Sequence, residues 1–467
     1  MLKLLLLSFT LSSLAESQQQ HTSFIDNPPS FYQRGRQGEY SKHSNFYQWW
    51  YFNLRHNNND NNLSTGPHFA LDYSYLKSSA SETGDVATDD NNSGAYILFS
   101  QFNKDEQKNL QVYEKWSLNE FRVDNFFDVS IAHDLFLMRS IDINTIHLYG
   151  HMSYTHNKTW AYENIDPESY TIEWDFRVRR VHGWFGQALE ESILADGGVI
   201  GWNTYGYVSE LADDHGYIRI SGKEDHKLYK LGRSDYQLYA DMNYGSSFPS
   251  SSSPVPVPED IEYPWTWMHV YHQHQDLIVD KESSTTTTTV SIVAGIGRQD
   301  NVGGGIDKNK ADCGASDGAY INVWINTTAV GASKTKSLGY SQILACNKTI
   351  TLLKQSDDGS SFTIEQKLSN WQHLTDKFGT HLIPLEHALS IQSPNYSITI
   401  ICYATTDDYL RFLFPLSTFV FSDFEAIGVP CHVVIGEKKK ETDVLTLTDF
   451  WSTSTGIEFG YRAKIHF

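Results

Sequence analysis

In the stretch "YTIEWDFRVRR", Ile172, Trp174, Phe176 and Val178 alternate with Glu173, Asp175, Arg177 and Arg179. Successive side chains of a strand point to opposite faces, so a run of this kind folds with one apolar and one polar face only when it is extended. The same device recurs near the C-terminus, where Ile457, Phe459, Tyr461, Ala463 and Ile465 alternate with Glu458, Gly460, Arg462, Lys464 and His466. "YIRIS", "HFALDYSYL", "AYILFSQF", "TVSIVAGIG", "AYINVWIN" and "YSITIICY" read as strands by the same test. Helical periodicity is scarce. The best helical candidate, "SNWQHLTDKFGTHLIPLEHAL", is interrupted by Gly379 and Pro384. Alternating strands without βαβ spacing predict an all-β chain of antiparallel sandwiches or barrels.

The chain of 467 residues is long enough for two domains. A Ser/Pro run that cannot form a central strand marks the boundary. The division expected is a linker at 246–262 between a β-domain at 18–245 and a second at 263–467. The inserts "NNNDNN" (57–62) and "SSTTTTT" (283–289) read as hairpin loops lengthened by polar repeats, and "GEKKKETD" as a solvated hairpin tip.

Residues 1–17 have the form of a secretory signal peptide. Lys3 precedes an apolar core from Leu4 to Ala15, and Ala15-Glu16-Ser17 fits a cleavage site. That core falls short of the roughly 20 apolar residues of a membrane span, and no later segment reaches that length. The expected location is therefore outside the cell or in the lumen of the secretory pathway. The four cysteines, Cys313, Cys346, Cys402 and Cys431, are even in number and show no CxxC spacing. Three pairings are open, and proximity favours Cys313–Cys346 with Cys402–Cys431. Sequons at Asn62, Asn91, Asn157, Asn326, Asn347 and Asn395 are candidate glycosylation sites. The net charge of −20, from 56 acidic and 36 basic residues, argues against nucleic acid as a partner.

"YADMNYG" places Tyr239, Asp241 and Asn243 on one strand face and Ala240, Met242 and Tyr244 on the other. The polar row is either a solvated face or a site where a carboxylic acid does chemistry. In "MHVYHQH", His272 and His274 share a face with His269 opposite, but no further convergent metal donor can be nominated. "GIGRQDNVGGG" lacks the spacing of a phosphate-binding loop, and no GxSxG elbow is present. Aromatic residues make up 14% of the chain. They concentrate in "FYQWWYF", "HGWFGQ", "GWNTYGY" and "YPWTWMHVY", which serve equally as core or as the lining of an apolar site.

The ordered set "WWYF", "GWFG", "GW", Y-x-D-x-N-x-G and W-x-W resembles the AttH, carotenoid 1,2-hydratase and tocopherol cyclase-like families. The resemblance spans roughly residues 38 to 275, with "TGIEFGYRA" similar to the closing strand of those proteins. It implies two lipocalin-like calyx domains packed together, few helices, and an apolar cavity for an isoprenoid-sized molecule. It also implies acid catalysis of hydration, cyclisation or isomerisation with neither metal nor organic cofactor. Carried over, Asp241 matches the acidic residue of the motif, with Tyr239 and Asn243 beside it. Met242 and Tyr244 depart from the cyclase pattern, where a basic residue and a tryptophan are expected.

Protonating an unactivated alkene needs a carboxyl kept neutral by burial, and the cation it creates is stabilised by aromatic faces. Trp49, Trp50, Trp184, Trp202, Trp265 and Trp267 are the candidate substrate-binding residues. The alternative is a non-catalytic extracellular carrier of lipid or pigment with the same fold. Burial of Asp241 at a domain junction would favour the enzyme.

Overall fold

The structure is a computed structural model. It describes residues 46–56, 66–77, 94–103, 109–125, 128–142, 144–153, 159–161, 171–182, 185–193, 199–205, 208–222, 226–245, 265–278, 284–299, 316–329, 343–346, 350–352, 362–376, 379–392, 396–416, 419–440 and 443–464. The expected signal peptide, the Ser/Pro linker, Trp184, Cys313 and the sequons at Asn62, Asn91, Asn157, Asn347 and Asn395 lie outside these residues. The described chain is all-β and antiparallel, as the alternation predicts, with no α-helix among the described residues.

Strands between Phe46 and Gly245 form one large sheet, nearly closed into a barrel. Strands between Trp265 and Lys464 form two further sheets of seven and six strands. No helix among the described residues is long and apolar enough to cross a membrane.

In the first sheet, Phe46–His56 lies between Tyr236–Gly245 and His68–Lys77. One face of these strands, carrying Trp50, Phe52, Leu54, Leu238, Ala240 and Met242, turns inward. It meets Ile172, Trp174, Phe176 and Val178 of Thr171–His182, all at most 1% exposed. The alternation predicted for that strand is therefore the alternation found. Trp174 fits because its partner across the ladder is Gly150, where a Cβ would lie 2.0 Å from the indole. The buried indole N–H donates to Tyr73 Oη at 2.9 Å, and Tyr73 donates to the Tyr149 carbonyl at 3.1 Å. The Trp174 indole and the Tyr73 hydroxyl thus find their partners within the barrel interior.

The second and third sheets pack face to face. Met268, Val270, Ile292, Phe424, Ala426, Ile457 and Phe459 of the second meet Ile383, Leu389, Ile398, Ile400 and Val433 of the third. Cys402 and Cys431 sit directly opposite one another on neighbouring strands and form the expected disulfide. Cys346 lies in the strand Ile343–Cys346, and Asn326 in Ser316–Ala329 opposite Thr289.

Two sequence expectations are overturned. The helical candidate is a β-hairpin, in which Phe362–Asp376 pairs with Gly379–Gln392 and Asp376 lies opposite Gly379. Its second arm has a strict period of two, with His381, Ile383, Leu385, His387, Leu389 and Ile391 all buried. That pattern, with the turn at Gly379, outweighs the looser three-and-four spacing of Trp371, Leu374 and Leu382. The threonine run is also not a loop. Thr285 to Thr289 belong to Ser284–Gln299, with Thr286 to Thr289 paired on both sides, where β-branched side chains suit an extended backbone. The Lys-rich "GEKKKETD" is a hairpin end as expected, closed by Lys440 opposite Asp443.

Candidate active site at the junction of two sheets

The outer face of the first sheet is covered where it carries Asn53, Arg55, Asp72, Tyr239 and Asp241, with Tyr51 half-buried beside them. It faces the second sheet. The link is direct: Tyr51 Oη donates to Glu425, Arg55 Nη1 donates to His269 Nδ1, and Trp267 Nε1 donates to Tyr239 Oη at 3.1 Å. Apolar contacts flank these bonds, with Ile427 against Ala70, Leu98 and Phe102 on one side, and Val293 with Trp267 against Tyr239 on the other. Gly456 permits this approach. A Cβ there would come within 2.8 Å of the Trp267 ring, which would have to retreat from the junction.

Ladder register lines up the first sheet's polar row. Tyr51 lies opposite Asp241 on one neighbour and opposite Asp72 on the other. Asp241 is 6% exposed, so its strand face is covered. It accepts hydrogen bonds at both oxygens, from Tyr239 Oη to Oδ2 at 2.8 Å and from Asn243 Nδ2 to Oδ1 at 3.3 Å. With Trp267 donating to Tyr239, the chain Trp267–Tyr239–Asp241 delivers aligned donors to one carboxyl group. The three residues expected from Y-x-D-x-N-x-G are brought together.

The second sheet contributes three acids. Glu425 and Asp423 come from Phe419–Ile427, and Glu458 lies opposite Glu425 on Thr455–Lys464. Their sharing of a face follows from period two, since Phe424, Ala426, Ile457 and Phe459 take the opposite face into the sandwich core. Burial pushes the Glu425 carboxyl well above the usual range, helped by the charge of Glu458. Asp423 is raised likewise, first by burial and then by the charge of Glu458, by a hydrogen bond with Glu458 that favours the protonated form, and by the charges of Asp241 and Asp72. Asp72 is lifted to about 7 by burial, against a hydrogen bond from Ser74 that favours its ionised form. Burial and the neighbouring charges thus favour the neutral forms of Asp423 and Glu425, the state in which a carboxyl donates a proton.

The tryptophans divide. Trp267 touches the site, its ring 4.8 Å from that of Tyr239. Trp49 shares the outer face with Tyr51, lies opposite Asn243, and stacks on Tyr47 at 4.9 Å. Trp50 takes the other face, fully buried in the barrel interior near Phe121. Trp202 is opposite Asn243 on the strand Val199–Tyr205, and Trp265 opens the strand Trp265–Ile278. Of the three histidines, His269 belongs to the junction, 4.9 Å from the Tyr239 ring, and His272 stacks on Phe450 at 4.0 Å. Among the described residues no group of three or more His, Cys, Asp or Glu side chains is arranged to hold a metal ion.

Asp72, Arg55, Asp423, Glu425 and Glu458 were not anticipated. One signal was available in "FVFSDFEAI", which is apolar at both parities: Phe421 and Ile427 share the parity of Asp423 and Glu425, while Val420, Phe424 and Ala426 take the other. A strand apolar on both faces is covered on both, and its acids are then buried.

No protein-family model and no curated protein matches this chain. Among solved structures it is similar to CghA, at 9% identity and a TM-score of 0.40, covering 91% of this chain and 90% of that one. It is also similar to a protein assigned as AttH (NE1406) from Nitrosomonas europaea, at 10% identity and a TM-score of 0.37, covering 89% of this chain and 92% of that one.

Proposed function

We propose that this protein is a secreted, cofactor-independent acid catalyst that hydrates, cyclises or isomerises an isoprenoid or other polyene-like apolar molecule at the junction of the first and second sheets. The observation that carries this reading is the pair of acids Asp423 and Glu425, whose neutral forms burial favours, set at the junction against Tyr51, Tyr239 and Trp267. The order of the sequence motifs, which resembles the AttH and tocopherol cyclase-like families, supports the same chemistry.

In this reading Asp423 or Glu425 gives a proton to an alkene carbon. The π-bond supplies the electron pair for the new C–H bond and leaves a carbocation. The faces of Tyr51, Tyr239 and Trp267 stabilise that cation, each by on the order of 0.5–2 kcal/mol. Asp241, accepting from Tyr239 and Asn243, is arranged as the carboxylate of the site. It faces the positive charge and receives the proton released when water adds or a neighbouring C–H bond breaks. The alternative, a carrier holding its ligand inside the barrel, is disfavoured by the side chains there, since Trp50, Phe52, Tyr73 and Trp174 occupy that interior.

The test begins with mass spectrometry of small molecules that co-purify with the protein secreted from its own cells. Those molecules are then incubated with it in D2O. A product carrying deuterium on carbon is expected. Asp241→Asn and Glu425→Gln should each lower turnover by about 10²–10⁴-fold while binding is nearly retained. Binding without conversion would leave the carrier reading in place. Product lacking the label would exclude protonation of carbon.

A further inference from the structure

Arg55 is a cation in the interior. It is fully buried, and its Nη1 donates to His269 Nδ1 and to the Ser454 carbonyl at 3.3 Å. An arginine has no acceptor, so His269 receives that bond on an unprotonated Nδ1 and cannot offset charge by ionising there. The other edge of the guanidinium, Nε with Nη2, is buried and has no hydrogen-bond partner. Among the described residues no carboxylate forms an ion pair with it. Burial lowers the guanidinium to about 9, opposed by Tyr239 and Tyr271, so it is still charged at pH 7.

A buried charge with its better hydrogen-bonding edge unpaired is a costly arrangement for a chain to keep. The Nε–Nη2 edge is the fork that meets a carboxylate with two parallel bonds. It lies on the strand that also carries Tyr51, and Tyr239 connects the two features. The Tyr239 ring packs on His269, which bonds Arg55, while its hydroxyl bonds Asp241.

We infer that the Nε–Nη2 edge of Arg55 is an anion subsite of the junction, and that the apolar ligand carries a carboxylate at one end which docks there. This rests on the reading of the junction as an apolar-substrate site and specifies the substrate class. Arg55 binds and orients; the acids do the chemistry.

The experiment compares cis-parinaric acid, a conjugated tetraene with a carboxylate head, with its methyl ester, titrated by fluorescence into the full-length protein at pH 7. The acid should bind at least about tenfold more tightly than the ester, as expected for a charge-assisted bidentate contact. Arg55→Gln should reduce that preference to within about threefold by weakening the acid alone. Arg55→Lys should retain part of it, since it keeps the charge and loses the fork. Equal affinities in the wild-type protein, or a preference that survives Arg55→Gln, would overturn the subsite and leave the apolar-substrate reading standing. Binding of neither probe would overturn both. The wild-type comparison decides even if Arg55→Gln does not fold.

Discussion

Among the described residues, the central strands of the second sheet pack on both faces, and they do so in opposite ways. Toward the third sheet they present Val270, Phe424, Ala426, Ile457 and Phe459, an apolar layer with partners of the same kind. Toward the first sheet they present His269, Asp423, Glu425 and Glu458 beside Trp267. One strand serves both: Phe424 enters the sandwich core while Asp423 and Glu425, its immediate neighbours, enter the junction. Burying carboxyl groups costs free energy that an apolar layer would not, so the junction is the less stable way to join two sheets. The contrast marks the apolar interface as the source of stability and the polar one as the place of chemistry.

The largest effect that sharpens this contrast is expected on the apolar side. Phe424→Ala should destabilise the protein by about 3–5 kcal/mol, measured by urea denaturation, because it removes a fully buried ring from the sandwich. Next is the disulfide that braces the same sandwich. Cys402 and Cys431 are 29 residues apart, and replacing both by Ala should cost about 3–4 kcal/mol by the loop-closure account. Neither change should alter the protonation of the junction acids, and a change there would break the separation of roles.

A pH-dependent effect belongs to the other interface. The native state holds the Asp72 proton to about 7, whereas an unfolded chain releases it near 3.8. The native state therefore binds the proton more tightly. The stability this contributes is fully present below the unfolded value and is lost as pH rises through about 7. Asp72→Asn cannot lose a proton, so between about pH 4 and pH 8 its stability should decline less than that of the wild type, by up to about 4 kcal/mol. Melting temperature followed across that range measures it. Parallel curves for the two proteins would show that Asp72 ionises normally.

The smallest stability effect is predicted one residue from the largest. Glu425→Gln exchanges an acid whose neutral form burial favours for an amide of the same shape, and should shift stability at pH 7 by less than about 1 kcal/mol. A loss as large as that of Phe424→Ala would make Glu425 a structural residue.

The sequence made the strands legible because period two survives without tertiary information, as Ile172 to Val178 illustrate. It misled where two periods overlapped, in the hairpin around Gly379, and where a polar run of threonines had the right branching for a strand. The site was half legible. Tyr239, Asp241, Asn243 and Trp267 lie close in sequence or within a recognisable order. The remainder comes from Asp72 and Arg55 in the first sheet and from residues beyond 420 in the second. An acid on an alternating strand looks the same whether its face meets water or another sheet, and which face is covered is set by docking between distant segments.

The central claim is that the junction holds protonated carboxyl groups at neutral pH. Infrared spectroscopy tests it most directly, because exposed acids are ionised at pH 7 and only buried ones retain the carbonyl band of a neutral carboxyl. The account predicts that band in the wild-type protein at pH 7, its reduction in Asp423→Asn and in Glu425→Gln, and in the double variant a residual band no larger than half-protonated Asp72 supplies. A wild-type spectrum with no such band, or one that both substitutions leave unchanged, would contradict it.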